Sequence, residues 1–140
     1  MLVPYLIVAG TGLLLMLVAL PLWLQKISPN WLYGFRTPRT VSNAALWYAA
    51  NKVTGQDLFL AGLAQILMSL AALALSLPEG FIAVTAVAPI LVGVLHSLWV
   101  TSEVAYALDS GEGSSEAAVE AAEVARTEVA RRASKAKTAA

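Results

Sequence analysis

Long apolar stretches without a single charge alternate with short polar segments along this chain. No Asp, Glu, Lys or Arg occurs between Leu2 and Leu24 or between Leu58 and Leu77, and a third apolar stretch runs from Phe81 to about Ala107. As helices rising about 1.5 Å per residue, all three are long enough to cross a hydrocarbon layer of about 30 Å. The pattern therefore predicts three transmembrane helices, at residues 3–24, 58–77 and 81–107.

The first span is expected to be an uncleaved anchor. A signal peptide has basic residues before a shorter apolar run and small residues at its cleavage site, and residues 1–24 have neither feature. Tyr5 and Trp23 fall at the two ends of this span, where amphipathic rings prefer to lie. In the third span Pro89 removes a backbone hydrogen bond, so we expect a bend there.

The placement of basic residues predicts the orientation. Three crossings put the polar loop at residues 25–57 and the C-terminal region on the same side of the membrane. All 9 Lys and Arg residues lie in those two regions, with Lys26, Arg36, Arg39 and Lys52 in the loop. The turn on the other side carries only Glu79. By the positive-inside rule the loop and the C-terminus are cytoplasmic, and the N-terminus is outside.

The amino-acid composition excludes several classes of functional site. Hydrophobic residues make up 59% of the chain and charged residues 13%, and there is no cysteine. The absence of cysteine excludes disulfides, thiolate metal sites and cysteine nucleophiles, and a net charge of zero gives no reason to expect nucleic acid as a partner. The sequence shows no nucleophile–base set, phosphate-binding glycine loop or metal-binding motif. We therefore expect neither catalysis, nor a cofactor, nor a metal.

The C-terminal region differs from the rest. We place a membrane domain at residues 1–109, a glycine-containing hinge at 110–113 and a helix rich in Ala, Glu and Arg at 114–140. Acidic residues come first in this tail helix and basic residues last, which complements the helix dipole. Two interpretations stay open. It is a solvated helix, or it docks on a partner or on another copy through a shallow stripe of Ala and Val.

The loop contains most of the polar side chains of the membrane domain. Gly34 permits backbone conformations that other residues resist. Arg36 and Arg39 are suited to folding over helix ends, binding carboxylates or holding lipid phosphate. A short helix is expected from its N-cap Ser42 to about Val53, ending at Gly55. Trp47 and Tyr48 would place this helix in the headgroup layer. The predicted fold is thus an all-α, three-span transmembrane bundle with an interfacial helix in the first loop and a separate C-terminal helix.

The loop resembles the SdpI-like membrane proteins of bacteria, whose founding member protects its producer against a secreted killing peptide. The resemblance depends on an Asn, a Gly-hydrophobic-Arg-Thr core, and then a Trp and an Asn within a helix. The residues are Asn30, Tyr33, Gly34, Arg36, Thr37, Thr40, Ser42, Asn43, Trp47, Asn51 and Gly55. It covers about residues 18–65 and, through the three-span layout, extends to about 107. It implies the short, three-span form of the family, located in the bacterial cytoplasmic membrane.

Polar residues also occur inside the spans. Small or polar residues recur on one face of the second span, at Gly62, Gln65, Ser69, Ala72 and Ser76. Such a face favours close helix–helix contact, within the chain or with other membrane proteins or a second copy. His96 and Glu103 share a face of the third span. Ionisable groups in a membrane suggest function, but a structural ion pair between Glu103 and Arg36 or Arg39 is the simpler interpretation, with His96 bonded to Gln65 or to a backbone carbonyl.

Three functions are compatible with these features. The resemblance implies a non-catalytic protein for resistance or immunity to a membrane-active peptide, with Asn30, Tyr33, Gly34, Arg36, Thr37, Arg39, Trp47 and Asn51 as the signature or binding residues. The alternative is a small accessory subunit of a larger membrane protein complex. A third hypothesis is an oligomeric proton-coupled transporter that uses His96 or Glu103. Membrane lipid is an expected partner in each case.

Overall fold

The computed structural model describes residues 2–110, excepting the side chains of 107–110, together with Glu123, Thr127, Ala130, Arg131 and Ser134. The four helices are α1 (Leu2–Trp23), α2 (Pro38–Ser42), α3 (Ala44–Ala74) and α4 (Gly80–Ser110). Among the described residues there is no strand. Three of the helices are long and apolar enough to span a membrane. The prediction of an all-α protein with three spans is confirmed. The predicted hinge after Ser110 and most of the predicted tail helix lie outside the described residues.

Helix α3 is the centre of the bundle, and α1 and α4 both pack against it in antiparallel orientation. The buried Tyr5 hydroxyl at the start of α1 donates to the carbonyl oxygens of Leu77 and Pro78, just beyond the end of α3, at 3.2 and 3.1 Å. At the other end of α1, the Trp23 ring lies 5.0 Å from the Phe59 ring. These contacts hold α1 along one side of α3, from its C-terminal end to its middle.

Glycines allow the backbones of α1 and α3 to approach closely. A Cβ atom added at Gly12 would lie 2.6 Å from the carbonyl oxygen of Gly62 and 3.1 Å from Cβ of Gln65. Four members of the predicted small-residue face, Gly62, Gln65, Ser69 and Ala72, are buried. The predicted close helix–helix contact is therefore present within the chain itself, since Gly62 faces Gly12.

One helix boundary differs from the prediction. The helix expected from Ser42 to about Val53 is the first part of the continuous helix α3, and it does not end at Gly55. Its N-cap is Asn43, whose side chain accepts a hydrogen bond from the Leu46 N–H at 3.1 Å. Gly55 stays helical because its missing side chain leaves room for the backbone of Trp23, which an added Cβ would strike. A close helix contact here outweighs the weak helix propensity of glycine.

Trp23, the last residue of α1, lies beside Gly55. The first three turns of α3 therefore extend beyond the end of α1. The chain between α1 and α3 covers these turns on one side, and the end of α4 covers them on the other. Leu46 and Ala49 form a buried cluster with Val104 of α4. Trp47 and Tyr48 are 0% and 4% exposed, so their rings contact the protein itself, and the placement of these turns in the headgroup layer stays a prediction. The protein buries them because the loop folds back over α3.

Candidate functional site

The loop begins with a turn that Asn30 organises. Its side-chain oxygen accepts hydrogen bonds from the N–H groups of Leu32 and Tyr33 at 2.9 and 2.8 Å, and its side-chain nitrogen donates to the Ser28 carbonyl at 2.8 Å. Asn favours such turns because its short amide can replace a backbone partner. Asn30 therefore fixes the path of the backbone leading to Gly34.

Gly34 and Asn51 join the loop to α3. Gly34 has φ +107°, a conformation that side chains resist, and an added Cβ would collide with the side-chain oxygen of Asn51. That oxygen accepts a hydrogen bond from the Phe35 N–H at 2.6 Å, while the Asn51 amide nitrogen donates to the carbonyl of Trp47 at 2.9 Å and to that of Phe35 at 3.3 Å. The buried amide thus replaces the hydrogen bonds that a strand or helix would give to Phe35.

Two threonines end the turn and start α2. The Thr37 side chain accepts from the Thr40 N–H at 3.1 Å, and the Thr40 hydroxyl accepts from the Thr37 N–H at 2.8 Å. This is a reciprocal cap with Pro38 at the start of the helix, where its fixed φ is favourable. Thr40 is 1% exposed. The Thr-Pro-Arg-Thr sequence therefore has a local structural explanation.

Trp47 of α3 holds the start of the loop. Its ring is fully buried, and its indole N–H donates to the Ile27 carbonyl at 2.9 Å. A buried indole requires such a partner. Asn30, Gly34, Thr37, Trp47 and Asn51 therefore form one framework that holds the loop against α3, and the polar side chains among them make hydrogen bonds within the chain.

The framework presents a different set of side chains to the surroundings. Trp31 and Leu32 are 80% and 90% exposed, and Arg36 is exposed as well. Trp31 and Arg36 line a cavity of about 500 Å³ together with residues of α2. Tyr33 is half-buried, and burial raises the pKa of its hydroxyl above the usual range. We call Trp31, Leu32 and Arg36 the exposed loop face.

A second polar cluster lies between α3 and α4. Both oxygens of the Asp57 carboxylate contact Nδ1 of His96, at 3.0 and 2.9 Å, and the Ser97 hydroxyl donates to Oδ2 at 2.6 Å. The Asp57 side chain is 11% exposed and the His96 side chain 51%. Ser97 is buried. These three residues join the two helices at the end of the spans nearest the loop.

The cluster does not have the arrangement of a hydrolytic triad. A triad needs the serine hydroxyl on the free imidazole nitrogen, with the carboxylate on the other nitrogen. Here the Ser97 hydroxyl donates to the carboxylate instead, and His96 contacts the same carboxylate through Nδ1. The geometry suits charge pairing and hydrogen bonding rather than activation of a nucleophile.

Comparison with known families assigns the segment that contains the loop framework and the Asp57–His96–Ser97 cluster. A family model described as the SdpI/YfhL protein family matches residues 26–100, more than half of the chain. The chain belongs to the SdpI/YfhL family. No curated protein and no solved structure matches it.

The matched SdpI/YfhL segment contains the whole loop framework, α3, and α4 as far as Val100. The resemblance stated from the sequence is therefore confirmed. The segment also includes Asp57, which sequence reasoning assigned only to the end of the loop. A signal was present: Asp57 is the last charge before the uncharged stretch that starts at Leu58. Its partner in α4 could not be predicted, because the register of two antiparallel helices depends on their packing.

The other predicted polar residues of this SdpI/YfhL member have different surroundings. His96 contacts Asp57, so its predicted bond to Gln65 or to a carbonyl is wrong. Gln65 donates to the Ala86 carbonyl of α4 at 2.6 Å. Glu103 is exposed, and the described residues show no ion pair between it and Arg36 or Arg39, which are also exposed. Within the described residues, no group of three or more His, Asp or Glu side chains could hold a metal ion.

Proposed function

We propose that this chain is a non-catalytic membrane protein that confers resistance or immunity to a membrane-active peptide, in the cytoplasmic membrane of a bacterium. Membership of the SdpI/YfhL family supports this role. The observation that carries the proposal is that the loop has two separate sets of side chains, the framework and the exposed loop face. Its framework residues are bonded internally, whereas two large apolar side chains and one guanidinium are exposed together.

This exposed loop face matches the chemistry of an amphipathic peptide at a membrane surface. Trp31 and Leu32 supply apolar area, and Trp and Arg are enriched among residues that dominate binding energies. Arg36 can bind a carboxylate or a C-terminus through two parallel hydrogen bonds. The internal bonds of the framework fix the backbone that carries these side chains before a ligand arrives, which lowers the entropic cost of binding.

The proposed orientation places this face on the cytoplasmic side, since the loop carries four basic residues and the opposite turn carries Glu79 alone. A peptide that acts within the bilayer would reach it from the inner leaflet. Membrane lipid is the other partner in this arrangement, because the outer sides of the three spans are apolar and exposed.

The proposal predicts that a bacterium sensitive to a membrane-active peptide survives higher peptide concentrations when it expresses this chain. A double variant, Trp31→Ala with Arg36→Ala, should lower survival toward that of cells without the chain, because both side chains are exposed and make none of the framework hydrogen bonds. Gly10→Ala is the matched control, since an added Cβ there meets nothing within 4 Å. Immunoblots of membrane fractions establish equal amounts. Unchanged survival with wild-type protein in the membrane would refute the proposal.

A further inference from the structure

A groove between α3 and α4 starts at the Asp57–His96 pair and runs into the apolar part of the bundle. Its volume is about 290 Å³. Apart from the pair, its walls are apolar, and they include Leu60, Ala64, Pro89 and Val92. We call this cavity the α3–α4 groove.

The groove lies on a different face of α3 from α1. The residues of α3 that contact α1 include Gly55, Gly62 and Ile66, whereas Asp57, Leu60 and Ala64 line the groove. Leu60 and Val92 are 60% and 67% exposed. The groove therefore opens sideways from the bundle, toward the hydrocarbon of a bilayer.

The polar end of the groove contains a carboxylate that lacks a permanent counter-charge. Among the described residues, His96 is the one basic side chain that contacts Asp57, and imidazole carries a charge only when protonated. Ser97 contributes a hydrogen bond but no charge. A carboxylate beside hydrocarbon is costly unless a cation pairs with it. An ammonium group is cationic throughout the physiological pH range, so it would compensate Asp57 under all these conditions.

The depth of the groove matches an apolar chain attached to such a head group. Ala64 lies seven residues beyond Asp57 on α3, about 10 Å farther along the helix, in the direction of the middle of the span. A ligand with its ammonium at Asp57 would place its chain along Leu60, Ala64 and Pro89. An anionic head would instead face the Asp57 carboxylate and be repelled.

We propose that the α3–α4 groove binds the ammonium group of a membrane-inserted cationic amphiphile, with the Asp57 carboxylate as its anchor and the apolar chain in the groove. The ammonium takes the place of the His96 imidazole on the carboxylate. The identity of the natural ligand rests on the proposed function: it is the N-terminal amine or a lysine of the membrane-active peptide.

His96 makes the proposal directly measurable, because it is the only histidine in the chain. Histidine labelled with a heavy nitrogen isotope gives the ring-nitrogen signals of this one residue in NMR spectra of the protein in phosphatidylcholine nanodiscs. Decylamine should shift the Nδ1 signal in a saturable way, as it displaces the imidazole from Asp57. Decanol, with the same chain but no charge, should produce no saturable shift.

Two variants test the anchor and the groove separately. Asp57→Asn should raise the half-saturating decylamine concentration at least about tenfold, the effect of losing one charge-assisted hydrogen bond. Ala64→Leu fills the apolar part without touching the pair and should have a similar effect. Ala83→Leu is the control, since Ala83 is exposed on α4 and does not line the groove. Equal shifts with decanol, no saturable shift in the wild type, or unchanged affinity in both test variants would overturn the proposal.

Further arms identify the ligand. If phosphatidylethanolamine in the nanodiscs moves the His96 signal as decylamine does, the occupant is a lipid and the peptide assignment is wrong. If Asp57→Asn loses the amine response but cells expressing it keep full resistance, the peptide is again excluded while the proposed function stands. If the wild-type chain gives no resistance, the proposed function fails, whereas the amine response still decides whether the groove is an ammonium site.

Discussion

At the scale of single residues, the polar side chains of the loop framework are explained by backbone groups that need hydrogen-bond partners. Asn51 is the clearest case, because its buried amide serves the N–H and C=O of Phe35 and also the Trp47 carbonyl. Without Asn51 the part-buried Phe35 N–H would lose this hydrogen bond, and leaving a buried donor unpaired costs about 1–3 kcal/mol. Asn51 therefore acts as a bridge between two segments 16 residues apart in the chain.

We predict that Asn51→Ala lowers the free energy of unfolding by about 1–3 kcal/mol, because the Phe35 N–H loses its partner and a small cavity forms. Unfolding in mixed detergent micelles, followed by far-ultraviolet circular dichroism, measures the change. Ser42→Ala is a suitable comparison, since within the described residues the exposed Ser42 hydroxyl bonds only to carbonyls of α2. A loss no larger than that of Ser42→Ala would contradict the role given to Asn51.

At the scale of helices, α3 determines the arrangement of the others. It has 31 residues, a length of about 46 Å, so it is longer than a span requires. Its C-terminal part lies beside α1 and the first part of α4, and its N-terminal turns carry the loop framework. The close approach of α1 depends on Gly12 and Gly62, where larger side chains would separate the helices. Small residues at such crossings are a general feature of membrane helix packing.

Gly12→Ala should therefore destabilise the bundle by about 1–3 kcal/mol, the usual cost of overpacking, because the added Cβ would lie 2.6 Å from the Gly62 carbonyl oxygen. Gly10→Ala is a matched control on the same helix, with nothing within 4 Å of its added Cβ. Thermal unfolding of both variants in the same detergent makes the comparison. Equal stabilities would show that the α1–α3 contact tolerates a methyl group at Gly12.

At the scale of the whole molecule, the orientation decides which surfaces a partner can reach. Three antiparallel crossings put the exposed loop face and the turn at Glu79 on opposite sides. The loop side holds the larger share of positive charge, which predicts a cytoplasmic location for it. The α3–α4 groove opens toward the lipid, near the loop side, so a ligand would enter it from the bilayer.

The chain has no cysteine, so single-cysteine variants report the orientation without background. With a membrane-impermeant maleimide, Glu79→Cys should react in intact cells, because positive charge retains the loop side in the cytoplasm. Leu32→Cys should react only after the membrane is permeabilised. Both positions are exposed, Leu32 at 90%, so access to the reagent is the variable. The reverse labelling pattern would show that the loop faces outward.

Hydrophobic patterning was enough to predict the helical class and the three spans, because a membrane span requires a long uncharged stretch. The family resemblance came instead from the loop motif, which is a local string of residues. The roles of particular loop residues needed the tertiary structure. The role of Gly34 depends on its contact with Asn51, and that of Trp47 on its hydrogen bond to Ile27. Both partners are distant in sequence. Helix α3 continues through Gly55 because α1 approaches it there, a contact that local propensity cannot report.

The sequence by itself therefore determined which segments lie in lipid and which lie in water, since each apolar or charged residue has its own preference for one of the two. What only the tertiary structure decided is which polar groups meet. Asp57 pairs with His96 across two helices, and Glu103, predicted to pair with an arginine, is exposed. The physical reason is that hydrogen bonds and ion pairs act over about 3 Å, so the register of packed helices selects the partners.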